Sequence, residues 1–384
     1  MKVGMLVDTY QPIVGGAEVH VLELSRALSL LGYEIAICTA VPGKVQTREE
    51  FPVLRLPRLT GGGWRAALSV PLALPRLVAF IRDVDFVHCH YSFLMAALGT
   101  MLGRLLGRPT AVTLHGLGTL DSSVGRSALW RFYRSVSLRL ADTIIATSEE
   151  MKKVALRFTP AEKIAVIPNG VNTQAFSPSP KPDSSDGELV ILTMRRLAPK
   201  NGVQYLVEAA PEVVAVVPEV RFWIAGEGKL EGYIRSRVTD LGLEGYFRFL
   251  GIVPHDQTPE FYRQADIAVF PSSAESTSLA CLEAMCTEKA IVASSLTAYK
   301  ELLGASGERG VLVPLFDRDE SDYNAPLTLP RECIHSLAQA IIALAQDAGL
   351  RVRLGHAARR FAAERYDWST IAAQTARVYQ GEKL

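Results

Sequence analysis

Cysteine is scarce in this chain: Cys38, Cys89, Cys281, Cys286 and Cys333 are the five in 384 residues. They are odd in number, scattered, and contain no Cys-x-x-Cys pair. That excludes a disulfide framework and a cysteine zinc site, and it points to a reducing compartment. Long apolar runs are also missing. The nearest, Ala66 to Ile81, is interrupted by Pro71, Pro75 and Arg76, which excludes an ordinary spanning helix. The first residues, Met1 to Asp8, read as a strand that turns polar at once and not as a signal peptide. A net charge of only +1 hides an asymmetry. Residues 1–180 hold 19 Lys+Arg against 13 Asp+Glu, so the rest of the chain is acidic. The expectation is a cytoplasmic protein with no nucleic-acid partner.

What is present is an alternation of short apolar strands and amphipathic helices, the pattern of parallel α/β sheets. In the first half the strands fall at Lys2 to Val7, Glu34 to Thr39, Phe86 to His88, Thr110 to Leu114, Thr143 to Thr147 and Ile164 to Ile167. A second series covers Leu189 to Met194, Val220 to Ala225, Phe247 to Leu250, Ile267 to Phe270 and Ala290 to Ser294. Length alone calls for two domains. The expected division is 1–176, a Pro/Ser/Asp-rich linker at 177–187, a second domain at 188–365, and a terminal helix at 366–384 that returns to the first domain. Arg318 to Arg331 reads as a surface insertion. The fold class is therefore α/β, two Rossmann-like domains facing across a cleft.

The richest stretch runs from Phe270 to Met285 and carries Glu275 and Glu283, eight residues apart. An apolar strand ends at a Pro-Ser turn, a polar loop holds Glu275, and a helix begins near Ser278 with Glu283 in its early turns. Ser278 is an N-cap residue type, so the amides just after it face outward with the positive end of the helix dipole. That is a site for a diphosphate, flanked by carboxylates that can accept hydrogen bonds from sugar hydroxyls. The same residues also fit a plain turn with two solvated glutamates.

Other motifs stand at comparable places. Gly15-Gly16, between the first strand and helix, lets backbone approach a phosphate; a plain turn would use glycine in the same way. Its spacing fits neither the dinucleotide fingerprint nor a P-loop. His115 ends a strand, where open α/β sheets bind ligands, unless it is a structural histidine. Arg195-Arg196, followed by Lys200-Asn201, places cations at a strand end, either for a diphosphate or for solvent. His88 and His90 have the spacing of a metal pair but no third ligand in sequence, so no metal is expected. Gly226-Glu227-Gly228 lacks the third glycine of a dinucleotide site.

Together, in this order, these residues resemble the retaining GT-B glycosyltransferases of group 1 and family 4. Also matching are Pro168-Asn169-Gly170-Val171-Asn172 and Phe249-Leu250-Gly251. The resemblance implies a nucleotide-sugar donor linked to UDP, GDP or ADP, and neither cofactor nor metal. It implies that Gly15 and Gly16 meet the donor diphosphate and that His115 lies by the transferred sugar. Arg196 neutralises the leaving group, with Lys200, one place before the family's lysine position, as the stand-in for that lysine; Glu275 holds sugar hydroxyls and Glu283 the ribose. Ser276, Thr277, Ser278 and Leu279 cradle phosphate, and the Val253 backbone meets the base. Such enzymes are thought to transfer a hexose with the leaving phosphate as base. The chain departs from the pattern at Asn201, where the family has lysine, and at Glu288, Ala290 and Thr297-Ala298. A binding protein that has lost catalysis is thus the alternative. The first domain of this fold takes the acceptor. Here two basic-aromatic stretches suit an anionic membrane or a phosphorylated lipid: Gly61-Gly62-Gly63-Trp64-Arg65 through Arg76 and Arg82, and Arg126, Trp130, Arg131, Phe132, Arg134, Arg139. An amphipathic helix packed on its own domain would look the same.

Overall fold

The computed structural model describes residues 1–12, 15–41, 49–57, 64–91, 93–116, 128–179, 187–317 and 325–382. Gly61, Gly62, Gly63, Arg126, most of the 177–187 stretch and 318–324 lie outside them, as does the side chain of Arg65. The chain forms two units, residues 1–170 with 368–384, and residues 171–367.

Seven parallel strands make the sheet of the first unit: β1 (Lys2–Val7), β2 (Glu34–Thr39), β3 (Val53–Arg55), β4 (Phe86–His90), β5 (Thr110–Leu114), β6 (Thr143–Ala146) and β7 (Ile164–Val166), in the order β3-β2-β1-β4-β5-β6-β7. The second unit has six: β8 (Leu189–Met194), β9 (Val220–Ala225), β10 (Phe247–Gly251), β11 (Ile267–Phe270), β12 (Ala290–Ser294) and β13 (Val311–Val313), in the order β10-β9-β8-β11-β12-β13. Both are α/β, doubly wound and Rossmann-like. In each, the order reverses beside the first strand, between β1 and β4 and between β8 and β11. The carboxyl ends at such a switch point are splayed by helices departing to opposite faces, which leaves room for a ligand.

Burial explains why these strands show as apolar runs. Ile191, Val269 and Val292 enter one core of the second unit, with Leu206 and Ile341 from the helices. Their neighbours Leu192, Phe270 and Ala293 enter the core on the opposite face, with Leu282 and Met285. A strand covered on both faces has no polar side to display. The terminal helix Trp368–Tyr379 belongs to the first unit and buries Ile371, Ala372 and Tyr379 in the core of Val3, Met5, Val21 and Leu24.

Three elements lie where the sequence pattern is silent. β3 and β13 are only three residues each, below the length at which alternation can be read. The stretch with Pro71 and Pro75 is a helix, Trp64–Arg82. Both prolines are exposed, while Ala73, Leu77 and Ile81 are buried on the opposite stripe. Packing of that stripe offsets the cost of the missing donors. Among the described residues no helix is long and apolar enough to cross a membrane.

One glycine is dictated by the fold. Gly202 has φ of +71°, and a Cβ there would collide with the carbonyl oxygen of Pro271. It joins the turn after β8 to the loop after β11. Gly202→Ala is expected to lower the melting temperature by roughly 4–10 °C, since a left-handed non-glycine residue costs about 1–3 kcal/mol before the clash is counted. A calorimetric scan showing no shift would refute this role.

Candidate functional site

The switch point of the second unit gathers most of the singled-out residues. Arg195 follows β8 directly, and Pro271 to Ser278 follow β11. The turn Pro199–Asn201 lies against that loop, because the Ser273 amide donates to the Lys200 carbonyl at 2.8 Å. The helix Leu279–Cys286 then starts as expected, capped by Ser278, whose hydroxyl accepts from the Cys281 amide at 3.3 Å. The Leu279 and Ala280 amides, at its first turn, have no preceding helical carbonyl to bond.

Glu275 sits between two cations, Arg195 and Lys200. Arg195 donates from Nη2 to its Oε2 at 2.5 Å, and the Ser276 amide donates to its Oε1 at 3.1 Å. Burial alone would raise this carboxyl, but Arg195 and Lys200 beside it hold it below the ordinary value. Lys200 is itself pushed down, first by burial, against the pull of Glu275 and with Arg195 and Arg196 as like charges. One carboxylate against Arg195, Arg196 and Lys200 leaves the cluster positive, which suits a diphosphate.

Sequence reading singled out Arg196 of the arginine doublet, whereas the buried partner of Glu275 is Arg195. The Arg196 side chain is exposed, and its carbonyl accepts from Asn201 Nδ2 at 2.6 Å. Asn201 Oδ1 accepts from Arg195 Nη2 at 3.3 Å, so the residue standing in the lysine position is a hydrogen-bonded hinge between the two arginines. The signal was available in the doublet itself. Adjacent residues leaving a strand point to opposite sides, so one of two arginines must turn inward.

Glu283 lies one helical turn beyond the cap and is 8% exposed. Burial raises its pKa to about 8, although a hydrogen bond with Tyr262 works in the other direction. His255 Nδ1 is 3.7 Å from its Oε1. Neither Tyr262 nor His255 carried a readable sequence signal, since each reaches Glu283 only through packing. Val253 is half-buried in the loop between β10 and His255, while Ser276, Thr277 and Ser278 are buried.

In the first unit, Gly15 caps the helix Gly16–Leu30 with φ of −157°, an extended value open to any residue, so its backbone angle does not explain the glycine. His115 follows β5 and is part of an imidazole cluster that sequence spacing does not reveal. His90 Nδ1 and His115 Nε2 are hydrogen-bonded at 2.9 Å. His20 donates from Nδ1 to Asn169 Oδ1 at 2.9 Å, and His88 bridges the Tyr379 hydroxyl at 2.6 Å and Thr113 at 2.7 Å. Burial first, then the neighbouring imidazoles, hold His115 and His90 well below the ordinary histidine value. The cluster is neutral at physiological pH. Nitrogens of His20, His90 and His115 lie within 4.8 Å of one another, close enough for one ion. The direct His90–His115 bond is shorter than the roughly 3.3 Å edge of a tetrahedral zinc site, so the arrangement is that of a hydrogen-bonded network.

The basic-aromatic run at Ala128–Leu140 needs correction. Arg134 is 5% exposed, with its guanidinium 4.3 Å from the centre of the Phe158 ring, and Trp130 is buried beside it. Both serve the interior through a cation–π contact. Arg131, Phe132 and Arg139 are exposed.

Residues 14–175 match the family model for Glycosyltransferase Family 4, and residues 188–347 match that for Glycosyl transferases group 1. The phosphatidyl-myo-inositol mannosyltransferase of Mycolicibacterium smegmatis is 30% identical, over 99% of this chain and 94% of its own length. The alpha-monoglucosyldiacylglycerol synthase of Acholeplasma laidlawii is 25% identical over 83% and 86% of the two chains. Among solved structures, Anabaena HepE in complex with UDP and glucose superposes with a TM-score of 0.80 at 22% identity, covering 100% of both chains, a likeness of fold. With both halves matched in order, and nearly the whole length shared with a transferase at 30% identity, the chain belongs to the group 1 and family 4 GT-B glycosyltransferases.

Proposed function

We propose that the protein moves a hexose from a nucleotide sugar to the hydroxyl of a lipid or lipid-linked saccharide, with retention at the anomeric carbon and without a metal ion. The observation that carries this reading is the positive cluster around Glu275 at the first turn of the helix Leu279–Cys286. Lys200 and the Leu279 amide, with Arg196 at the exposed edge, are suited to the charge that develops on a departing diphosphate, which prearranged donors stabilise more strongly than water does. Glu275 accepts from sugar hydroxyls, Glu283 from the ribose, and the leaving phosphate takes the acceptor proton. Gly15, Gly16 and His115 are assigned to the donor by the family pattern alone.

A lipid acceptor is supported by two relatives, from Mycolicibacterium smegmatis and Acholeplasma laidlawii, whose names describe transfer to phosphatidyl-myo-inositol and synthesis of a glucosyldiacylglycerol. It is supported also by the first unit. Leu72 (72% exposed), Leu105 (74%) and Phe132 (60%) stand on three of its helices, each near exposed arginine: Arg76, Arg104 and Arg131. Apolar side chains beside cations suit an anionic bilayer surface.

The test is incubation with UDP-glucose, GDP-mannose or ADP-glucose and anionic vesicles containing phosphatidylinositol and diacylglycerol, in EDTA. The expected product from an α-linked donor is an α-linked glycolipid, read by proton NMR. A β-linked product would overturn retention, and loss of activity in EDTA would overturn metal independence. One observation favours a second reading, a nucleotide-sugar-binding protein without turnover: Asn201 offers an amide where the family has a cation. Donor binding with neither transfer nor hydrolysis would select it.

A further inference from the structure

We propose that Arg195 is the positioning residue of the donor site: it fixes which edge of the Glu275 carboxylate meets the sugar, and so sets the preference for a nucleotide sugar over the bare nucleoside diphosphate. The inference rests on the donor reading above. Arg195 makes four hydrogen bonds, to groups from two segments, the turn Pro199–Asn201 and the loop from Pro271 to Ser278. Nη2 donates to Glu275 Oε2 at 2.5 Å, to Ser272 Oγ at 2.9 Å and to Asn201 Oδ1 at 3.3 Å. Nη1 donates to Ser278 Oγ at 3.1 Å, on the hydroxyl that caps the helix. Its side chain is 10% exposed and that of Glu275 is 13%, so the pair is shielded from solvent.

This geometry separates orientation from charge. A planar guanidinium offers donors in a rigid fork, and both arms are used here, one on the carboxylate and one on the cap. With the Ser276 amide on Oε1 and Arg195 on Oε2, rotation of the Glu275 carboxylate is blocked. A sugar hydroxyl then meets one fixed edge. An ammonium in the same place would keep the charge but, as a point donor, could not span Glu275 and Ser278 together. The diphosphate has no need of the Glu275 edge, whereas the sugar does. Arg195 therefore acts on substrate through Glu275, and its loss is read in discrimination between ligands.

The experiment measures dissociation constants by titration calorimetry for UDP-glucose, GDP-mannose and ADP-glucose and for the matching diphosphates. It uses the wild-type, Arg195→Lys, Glu275→Gln and the double variant Arg195→Met/Glu275→Gln. In the wild-type the sugar nucleotide is expected to bind more tightly than its diphosphate. Arg195→Lys should cut that ratio at least about tenfold, the size of one lost charge-assisted hydrogen bond. The double variant, which replaces both charges with neutral groups and leaves none buried alone, should match Glu275→Gln in its ratio, because the two residues act as one unit. A wild-type ratio kept in Arg195→Lys overturns the inference, as does equal weakening of both ligands, the mark of a merely structural role. If the wild-type binds none of the nucleotides, the donor reading itself falls and the inference falls with it. Binding without any wild-type preference overturns the inference alone.

Discussion

Glu275→Gln is expected to lower kcat by about 10²–10³-fold while the dissociation constant of the nucleoside diphosphate moves little, the size seen when one prearranged electrostatic group is removed. Glutamine is the informative replacement. It keeps the shape and a carbonyl acceptor for Arg195, whereas alanine would remove the carboxylate and leave no acceptor in its place, adding an unsatisfied donor to the lost charge pair. The structure supplies the reason for a kcat effect. Glu275 is held ionised against burial by Arg195 and Lys200, and an ionised carboxylate accepts hydrogen bonds from two sugar hydroxyls, where the amide accepts fewer and offers unwanted donors. Steady-state rates and diphosphate titrations on the same preparation check this. An unchanged kcat removes Glu275 from the reaction.

Glu283→Ala is expected to weaken nucleotide binding by about 10–100-fold with a smaller effect on saturated turnover, since hydrogen bonds to a charged group contribute about 1.5–3 kcal/mol. Glu283 also predicts a pH dependence. Burial raises its folded pKa to about 8, far above the unfolded carboxylate value. The native state then binds more protons at this group than the unfolded state between the two pKa values, so the contribution of Glu283 to stability is fully present below about pH 4 and is lost as pH rises toward 8. The slope is about 1.4 kcal/mol for each pH unit in that window. Glu283→Gln should flatten this decline in denaturant titrations. Nucleotide affinity runs the other way: a ribose diol donates best to the ionised carboxylate, so binding should tighten as pH rises toward 8. Parallel wild-type and Glu283→Gln curves for both properties would refute the assignment.

The two glutamates show how differently one motif can be read at its two ends. Ser278 as N-cap and the helix after it followed from local chemistry, because a side-chain oxygen satisfies an amide three residues on and needs no distant partner. The ionisation of Glu275 and Glu283 did not follow. One is held charged by an arginine 80 residues away, the other is pushed toward neutrality by burial against the opposing hydrogen bond with Tyr262. Asn201 is the same lesson at another scale. In sequence it is a missing lysine; in the fold it is a bridge between Arg195 and the Arg196 carbonyl.

By itself the sequence determined all the strands but β3 and β13, and their parallel α/β arrangement, since strands buried on both faces must be continuously apolar and the helices between them amphipathic. It marked the candidate places for chemistry as well, because strand ends and helix starts are punctuated by glycine, serine and charge at short range. Tertiary structure decided which charges meet. It turned Arg195 inward and left Arg196 in solvent, folded Arg134 and Trp130 into the first unit, and assembled His20, His88, His90 and His115 from three elements into a neutral network. The physical reason is that pairing and burial act between residues far apart in the chain, and a carboxylate or imidazole acquires its charge only when its neighbours are in place.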